Sequence, residues 1–197
     1  MINAVTSAGS DGQVVLTVFD EAIALHQACR AIDPGPVVQA GQAIRAAIAT
    51  GGKLLVFGNG GSAADAQHMA TELVARFLRE RAAMPAMALS ADATVLTSIA
   101  NDYGFDRVFA RQIEGLGKAG DVACAISTSG RSPNVVQGIE AARARGLTTI
   151  ALTGRDGGRL GGMVDIHINV PSPSTPRVQE VHRTLIHAIC ELVERDM

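Results

Sequence analysis

Short apolar runs of strand length alternate with stretches of helical periodicity, and this alternation constrains the fold more than any other feature of the chain. The runs lie at residues 53–57, 85–89, 121–126, 148–152 and 165–170. Helical segments at 63–78, 91–100 and 133–145 separate the first four, and a turn-rich stretch around Gly158 precedes the last. A strand, helix, strand order requires crossover connections, so the strands pair in parallel with helices on both faces of the sheet. Parallel strands covered on two faces are apolar throughout rather than alternating, as these are. The chain is therefore expected to be an α/β protein built on a parallel sheet.

Two helical stretches precede the first strand. Residues 14–32 place Val15, Val18, Phe19, Ala22, Leu25 and Cys29 on one stripe, and Pro34-Gly35-Pro36 stops them. Residues 37–50 end at Gly51-Gly52, a C-cap leading into the first strand. The last stretch, residues 175–195, spaces Val178, Val181, Leu185, Ala188 and Leu192 three and four apart. No repeat, low-complexity tract or linker interrupts the 197 residues, which fits one domain. The expected organisation is a flexible segment at 1–13, N-terminal helices at 14–50, and an α/β core with its C-terminal helix at 51–197.

Composition excludes several classes of function. A net charge of -2 with scattered Lys and Arg gives neither the basic footprint of a nucleic-acid binder nor a membrane-surface patch, and 3% aromatic residues without Trp give no base-stacking platform. No apolar run approaches membrane-spanning length, and the N-terminus lacks the basic and apolar regions of a signal peptide. Cys29, Cys124 and Cys190 are odd in number, widely spaced and set among apolar neighbours, so three reduced core thiols in a soluble, cytoplasmic protein are expected.

In an open parallel sheet, ligands bind beyond the carboxyl ends of the strands, so chemistry is sought in the loops that follow them. After residues 53–57 comes Gly58-Asn59-Gly60-Gly61-Ser62, a glycine turn that opens a helix and presents backbone N–H groups and a positive dipole end. After residues 121–126 comes Ser127-Thr128-Ser129-Gly130-Arg131-Ser132-Pro133, with hydroxyls and N–H groups crowded before a helix that Pro133 can open. This is a phosphate nest that needs no lysine, or else a plain N-cap. Thr153-Gly154-Arg155-Asp156-Gly157-Gly158 is expected to be only a turn. The glycine loop also matches Gly58-x-Gly60-x-x-Ala63, but the acidic residue of a dinucleotide fingerprint is missing, since Asp92 comes too late. The Walker pattern is absent.

His68 and Glu72 stand four apart and share a helix face, as a metal pair, an acid/base pair or a simple hydrogen bond. Two ligands from one helix leave a metal site open, and the last helix offers Gln179, Glu180, His182 and His187. Gln179 shares a face with His182 and lies about 80° from His187 around the helix. Spacing does not choose between the two histidines.

Taken together, Gly58 to Glu72, Asn101-Asp102-Tyr103-Gly104, Ser127 to Ser132, the Thr153 turn, and Val178-Gln179-Glu180-Val181-His182 with His187 resemble the phosphoheptose isomerase branch of the sugar isomerase (SIS) domain family. The likeness runs from about residue 51 to the end. It implies a SIS-type, flavodoxin-like parallel sheet sandwiched by helices, with N-terminal and C-terminal helices packing in a homotetramer whose active sites form near subunit contacts. It implies isomerisation of sedoheptulose 7-phosphate to D-glycero-D-manno-heptose 7-phosphate, the first step of nucleotide-activated heptose synthesis. By the same likeness Ser127, Thr128, Ser129 and Ser132 hold phosphate, while Asn59, Gly60, Gly61, Asn101 and Asp102, with Ser62 adjacent, contact the sugar. One zinc ion per subunit is held by His68, Glu72, Gln179 and His187, which selects His187 over His182; Gln179 and Glu72 also face the substrate. Glu72 is implied as the base and His187 as the acid. Residues 171–176 depart from any fixed family pattern. The competing expectations are a non-catalytic SIS scaffold of the replication initiator-associating type, which lacks counterparts of Glu72 and His187, and an isomerase of another phosphosugar.

Overall fold

The computed structural model describes residues 9–195, which fall into two compact units, residues 9–32 and 33–195. The first unit is one helix, α1 (Ser10–Arg30), with Asp11 in its first turn and Arg30 in its last, both suited to the helix dipole. Residues 10–13 are helical where a flexible segment was expected, because Gly9 already accepts a hydrogen bond from the Gln13 N–H. Residues 1–8 of that expectation lie outside the described residues. No residue of α1 is buried, and Val14, Val15, Val18, Phe19 and Ile23 are exposed.

The second unit runs α2 (Gly35–Ala49), β1 (Leu54–Gly58), α3 (Gly61–Val74), β2 (Ala86–Ala88), α4 (Ala93–Tyr103), α5 (Val108–Leu116), β3 (Val122–Ser127), α6 (Pro133–Ala144), β4 (Thr148–Gly154), β5 (Ile166–Val170) and α7 (Thr175–Glu194). All five strands pair in parallel in the order β2-β1-β3-β4-β5. That is the doubly wound, flavodoxin-like order. The period of two along each strand sorts side chains between two cores. Leu54, Val56, Cys124, Ile126, Ile150 and Leu152 pack with residues of α2, α3 and α7, whereas Leu55, Phe57, Ala123, Ala125 and Ala151 pack with α4, α5 and α6. Small alanines on the second face leave room for Phe57 and Phe109, whose ring centroids are 5.2 Å apart.

Two elements differ from expectation. α5 was not anticipated, although Val108, Phe109, Ile113 and Leu116 keep helical spacing; its polar Gln112 is buried, donating to the Leu89 and Val108 carbonyls. α3 ends at Val74 rather than at residue 78, because its terminal carbonyls find partners in the loop that follows. Arg81 donates to the Glu72 and Leu73 carbonyls, and the Met84 N–H also donates to Leu73. Of the cysteines, Cys124 and Cys190 are buried and Cys29, on α1, is only half-buried; none is disulfide-bonded. Burial, above all, pushes the Cys124 and Cys190 thiols up to about 12, so they are inert. Among the described residues no helix is long and apolar enough to cross a membrane.

Candidate active site

β1 and β3 are neighbours from which the chain departs in opposite directions, so the crevice beyond their carboxyl ends is the switch point of the sheet. The glycine loop leaves β1 at this point and the serine loop leaves β3. Gly58 must be glycine for space, since a Cβ there would stand 2.5 Å from the Ile126 carbonyl oxygen and 2.9 Å from the Ser62 Cβ. Gly60 must be glycine for conformation, with φ at 56°. In the serine loop, the Ser127 hydroxyl accepts from the Gly130 N–H (3.2 Å) and the Ser129 hydroxyl from the Arg131 N–H (3.2 Å). Ser132 is the N-cap residue of α6 but makes no side-chain capping bond, and Pro133 opens the helix as expected.

The two loops are locked together. Asn59 and the buried Asn134 exchange amide hydrogen bonds of 2.8 and 2.9 Å. The turn after β4 braces the serine loop from the other side: the Leu160 N–H donates to Gly130 (3.0 Å), Gly130 lies against Gly157, and Arg131 pairs with Asp156. Asn101 and Asp102 are exposed on the last turn of α4, bonded to each other (2.8 Å); among the described residues no hydrogen bond ties them to either loop.

α3 and α7 bring three candidate residues to one point. His68 Nε2 lies 2.8 Å from His187 Nε2 and 3.2 Å from Glu72 Oε1, and the ligand-type atoms of all three fall within 4.8 Å of one another. The helices are pinned by the ion pair of Arg183 with the buried Asp65 at 2.5 Å, and Phe77 stacks on the His187 ring at 5.4 Å. Gln179 projects from the first turns of α7 onto Gly61, where an added Cβ would collide with its amide. His182 goes elsewhere. It is fully buried, its Nε2 is 2.9 Å from the Thr153 carbonyl oxygen, and burial holds its pKa below the usual histidine range. Geometry thus separates the two histidines that spacing left equivalent.

Two imidazole nitrogens and a carboxylate oxygen are the donor set zinc takes, and donors about 2.0–2.1 Å from a tetrahedral ion stand roughly 3.3 Å from one another. The separations of 2.8 and 3.2 Å are within about half an ångström of that spacing, and the three residues can hold a metal ion such as zinc. A groove of about 520 Å³ lined by Met87, Val95, Ile99, Arg111 and Leu116, between α4, α5 and the edge strand β2, is largely apolar and has no such donor cluster. Asn134, Phe77, Arg81 and Glu194 were not singled out from the sequence. Asn134 had a local signal, a polar residue just after the opening Pro133; the others act across more than a hundred residues or through a loop without periodicity.

Residues 18–154 match the family model of the SIS domain. The fold and this match define the class: the chain belongs to the SIS domain family. A phosphoheptose isomerase of Citrifermentans bemidjiense is 58% identical over 147 residues, 75% of this chain and 77% of the relative. One of Geobacter sulfurreducens is 47% identical over 195 residues, 99% and 98% of the two chains. Among solved structures, phosphoheptose isomerase from Neisseria gonorrhoeae aligns with a TM-score of 0.90 at 44% identity, covering 94% of this chain and all of that one; the enzyme from Francisella tularensis gives 0.92 at 34% identity, covering 95% and 100%. Within the SIS family the chain falls among the phosphoheptose isomerases.

Proposed function

We propose that the protein is an aldose–ketose isomerase that converts sedoheptulose 7-phosphate to D-glycero-D-manno-heptose 7-phosphate, the first step of nucleotide-activated heptose synthesis. The observation that carries this reading is the meeting of His68 and Glu72 with His187, which lies 119 residues beyond His68, beside two loops that crowd N–H and hydroxyl groups at the switch point of the sheet. The relatives named above support the substrate.

In this reading the phosphate sits on Ser127, Thr128, Ser129 and Ser132 at the positive end of α6. Asn59, Gly60, Gly61, Ser62, Asn101, Asp102 and Gln179 orient the sugar. Glu72 takes a proton from C1 of the ketose and returns it to C2, and His187 moves a proton between the oxygens on C2 and C1 as the enediol forms and collapses. The proton balance closes without an outside oxidant or reductant. A zinc ion held by His68, Glu72, Gln179 and His187 would supply positive charge beside the developing oxyanion. The reading further assigns a homotetramer in the cytoplasm, with active sites near subunit contacts; the free thiols suit a reducing compartment.

The test is incubation of the purified protein with sedoheptulose 7-phosphate, with and without added zinc, following the aldose. Conversion by the wild type and its loss in Glu72→Gln support the assignment. No conversion under either condition refutes it in favour of a scaffold or another phosphosugar.

A further inference from the structure

Glu194 carries no part of the proposed chemistry, yet it is 2% exposed and accepts four hydrogen bonds: from the backbone N–H groups of Phe77 (2.8 Å), Leu78 (2.9 Å) and Arg79 (3.1 Å), and from Arg81 Nε (3.1 Å). A buried carboxylate held by this many donors is fixed in place. Its position on α7 is two turns beyond His187 and on nearly the same face. The guanidinium of Arg81 is equally committed. Besides Glu194, it donates through Nη1 to the Leu73 carbonyl (2.8 Å) and the Ala82 carbonyl (3.0 Å), and through Nη2 to the carbonyl of Glu72 itself (2.8 Å).

This ion pair therefore touches both sides of the proposed reaction centre. On one side Arg81 caps the last turn of α3 and fixes the backbone from which Glu72 projects. On the other, Glu194 ties down the loop after Ala75, where α3 breaks, and so holds Phe77 with its ring stacked on His187 at an interplanar angle of 27°. Residues 75–85 form neither helix nor strand, so no backbone ladder of their own gives that loop one conformation.

We propose that Arg81 and Glu194 are positioning residues of the isomerase reaction, setting the Glu72 backbone and the His187 ring so that base and acid meet the same substrate. This rests on the reading under Proposed function. The phosphate loop belongs to β3 and α6, outside this network, so the effect falls on turnover rather than on substrate affinity.

The experiment compares wild type with Arg81→Lys, Glu194→Gln and Phe77→Leu, and with Arg159→Gln as a control that removes the exposed pair with Glu140. Four quantities are read: the melting temperature, kcat and KM for sedoheptulose 7-phosphate, the Kd for zinc by chelator competition, and the ring 15N shifts of His68 and His187 in metal-free protein. The expected result is a fall in kcat on the order of 10²-fold with KM within about threefold, a zinc Kd weakened by about 10–100-fold, shifted His187 resonances, and an unchanged control. If Glu194→Gln does not fold, Arg81→Lys tests the Glu72 side and Phe77→Leu the His187 side. Folded variants that keep kcat, zinc Kd and ring shifts within about twofold of wild type, even with a lowered melting temperature, overturn the proposal and leave the pair a stability element. A wild type inactive on the heptose phosphate overturns the functional reading instead; altered zinc Kd and ring shifts in the variants would then still support the positioning, and their constancy would overturn it.

Discussion

Gly61→Ala tests whether the glycine loop exists to admit Gln179. Gly61 is the first residue of α3 and does not have a positive φ, so alanine is conformationally allowed and reduces the entropy of the unfolded chain, a gain of about 0.4–1 kcal/mol. Its added methyl would meet Nε2 of Gln179 first and stand 2.9 Å from both Cδ and Oε1, where comfortable carbon contacts are about 3.5–4.0 Å. The neighbour is the end of a flexible side chain, so the amide can retreat at little cost in stability, by roughly 1 Å or more. A displacement of that size in a catalytic group costs on the order of 10²-fold in rate, about 2.7 kcal/mol of transition-state stabilisation. The expected outcome is a melting temperature unchanged or raised by up to about 4 °C, with kcat/KM for sedoheptulose 7-phosphate lowered about 10²-fold. Because Gly61 is exposed, the methyl could instead obstruct the sugar, so the same change is also made in a Gln179→Ala background. If it acts through Gln179, its further cost there drops below about threefold. A Gly61→Ala enzyme with wild-type kcat/KM, or a full 10²-fold loss persisting without Gln179, would refute the reasoning.

Asn134→Ala should leave the Asn59 amide without its partner, costing about 1–3 kcal/mol in urea denaturation and raising KM several-fold through a loosened sugar loop, with a smaller effect on kcat. Asp121→Asn acts at the opposite end of the sheet, where the fully buried carboxylate accepts from the Lys53 and Lys118 N–H groups and from Lys53 Nζ. Stability should fall by about 1–3 kcal/mol while kcat/KM stays unchanged. Acid should weaken the fold in two stages. Burial depresses the pKa values of His182 and His167, so the unfolded chain binds protons first. Stability is full above the ordinary histidine pKa of about 6.5 and declines as pH falls through the depressed folded values, by at most about 1.4 kcal/mol per group per pH unit; His182→Gln should flatten that limb. At lower pH Asp121 and Glu194 follow. Burial raises both carboxyls, but their hydrogen bonds and the nearby Lys53 and Arg81 outweigh it and hold them low, so the stability they contribute is lost only below the usual carboxylate range.

The parallel sheet and most of its helices are legible in the sequence because each strand satisfies its own pattern: five apolar runs, each followed by a turn, permit little besides a parallel sheet covered on both faces. The boundaries that moved did so for tertiary reasons. α3 stops at Val74 because Arg81 supplies partners for its last carbonyls, and no local propensity at residues 75–78 announces that. α5 keeps helical spacing, but the polar Gln112 in its middle disguises a buried face.

The same distinction applies within the site. His68 and Glu72 are found by counting four residues along one helix, because an interaction on a helix face has a period. His187 joins them through the packing of α7 on α3, and His182, five residues earlier, faces Thr153 instead; spacing alone does not tell them apart, and the packing does. Beyond these, the residues with no spacing signal at all, Arg81 and Glu194, are those that hold the two helix ends at a fixed separation. A site assembled from distant helices requires such fasteners, because four side chains delivered by separate elements are only as well aligned as the backbone beneath them. The sequence therefore displays the groups proposed to meet the substrate, while the groups proposed to fix their geometry are visible only in the assembled fold, and it is on the second set that substitutions should separate turnover from binding.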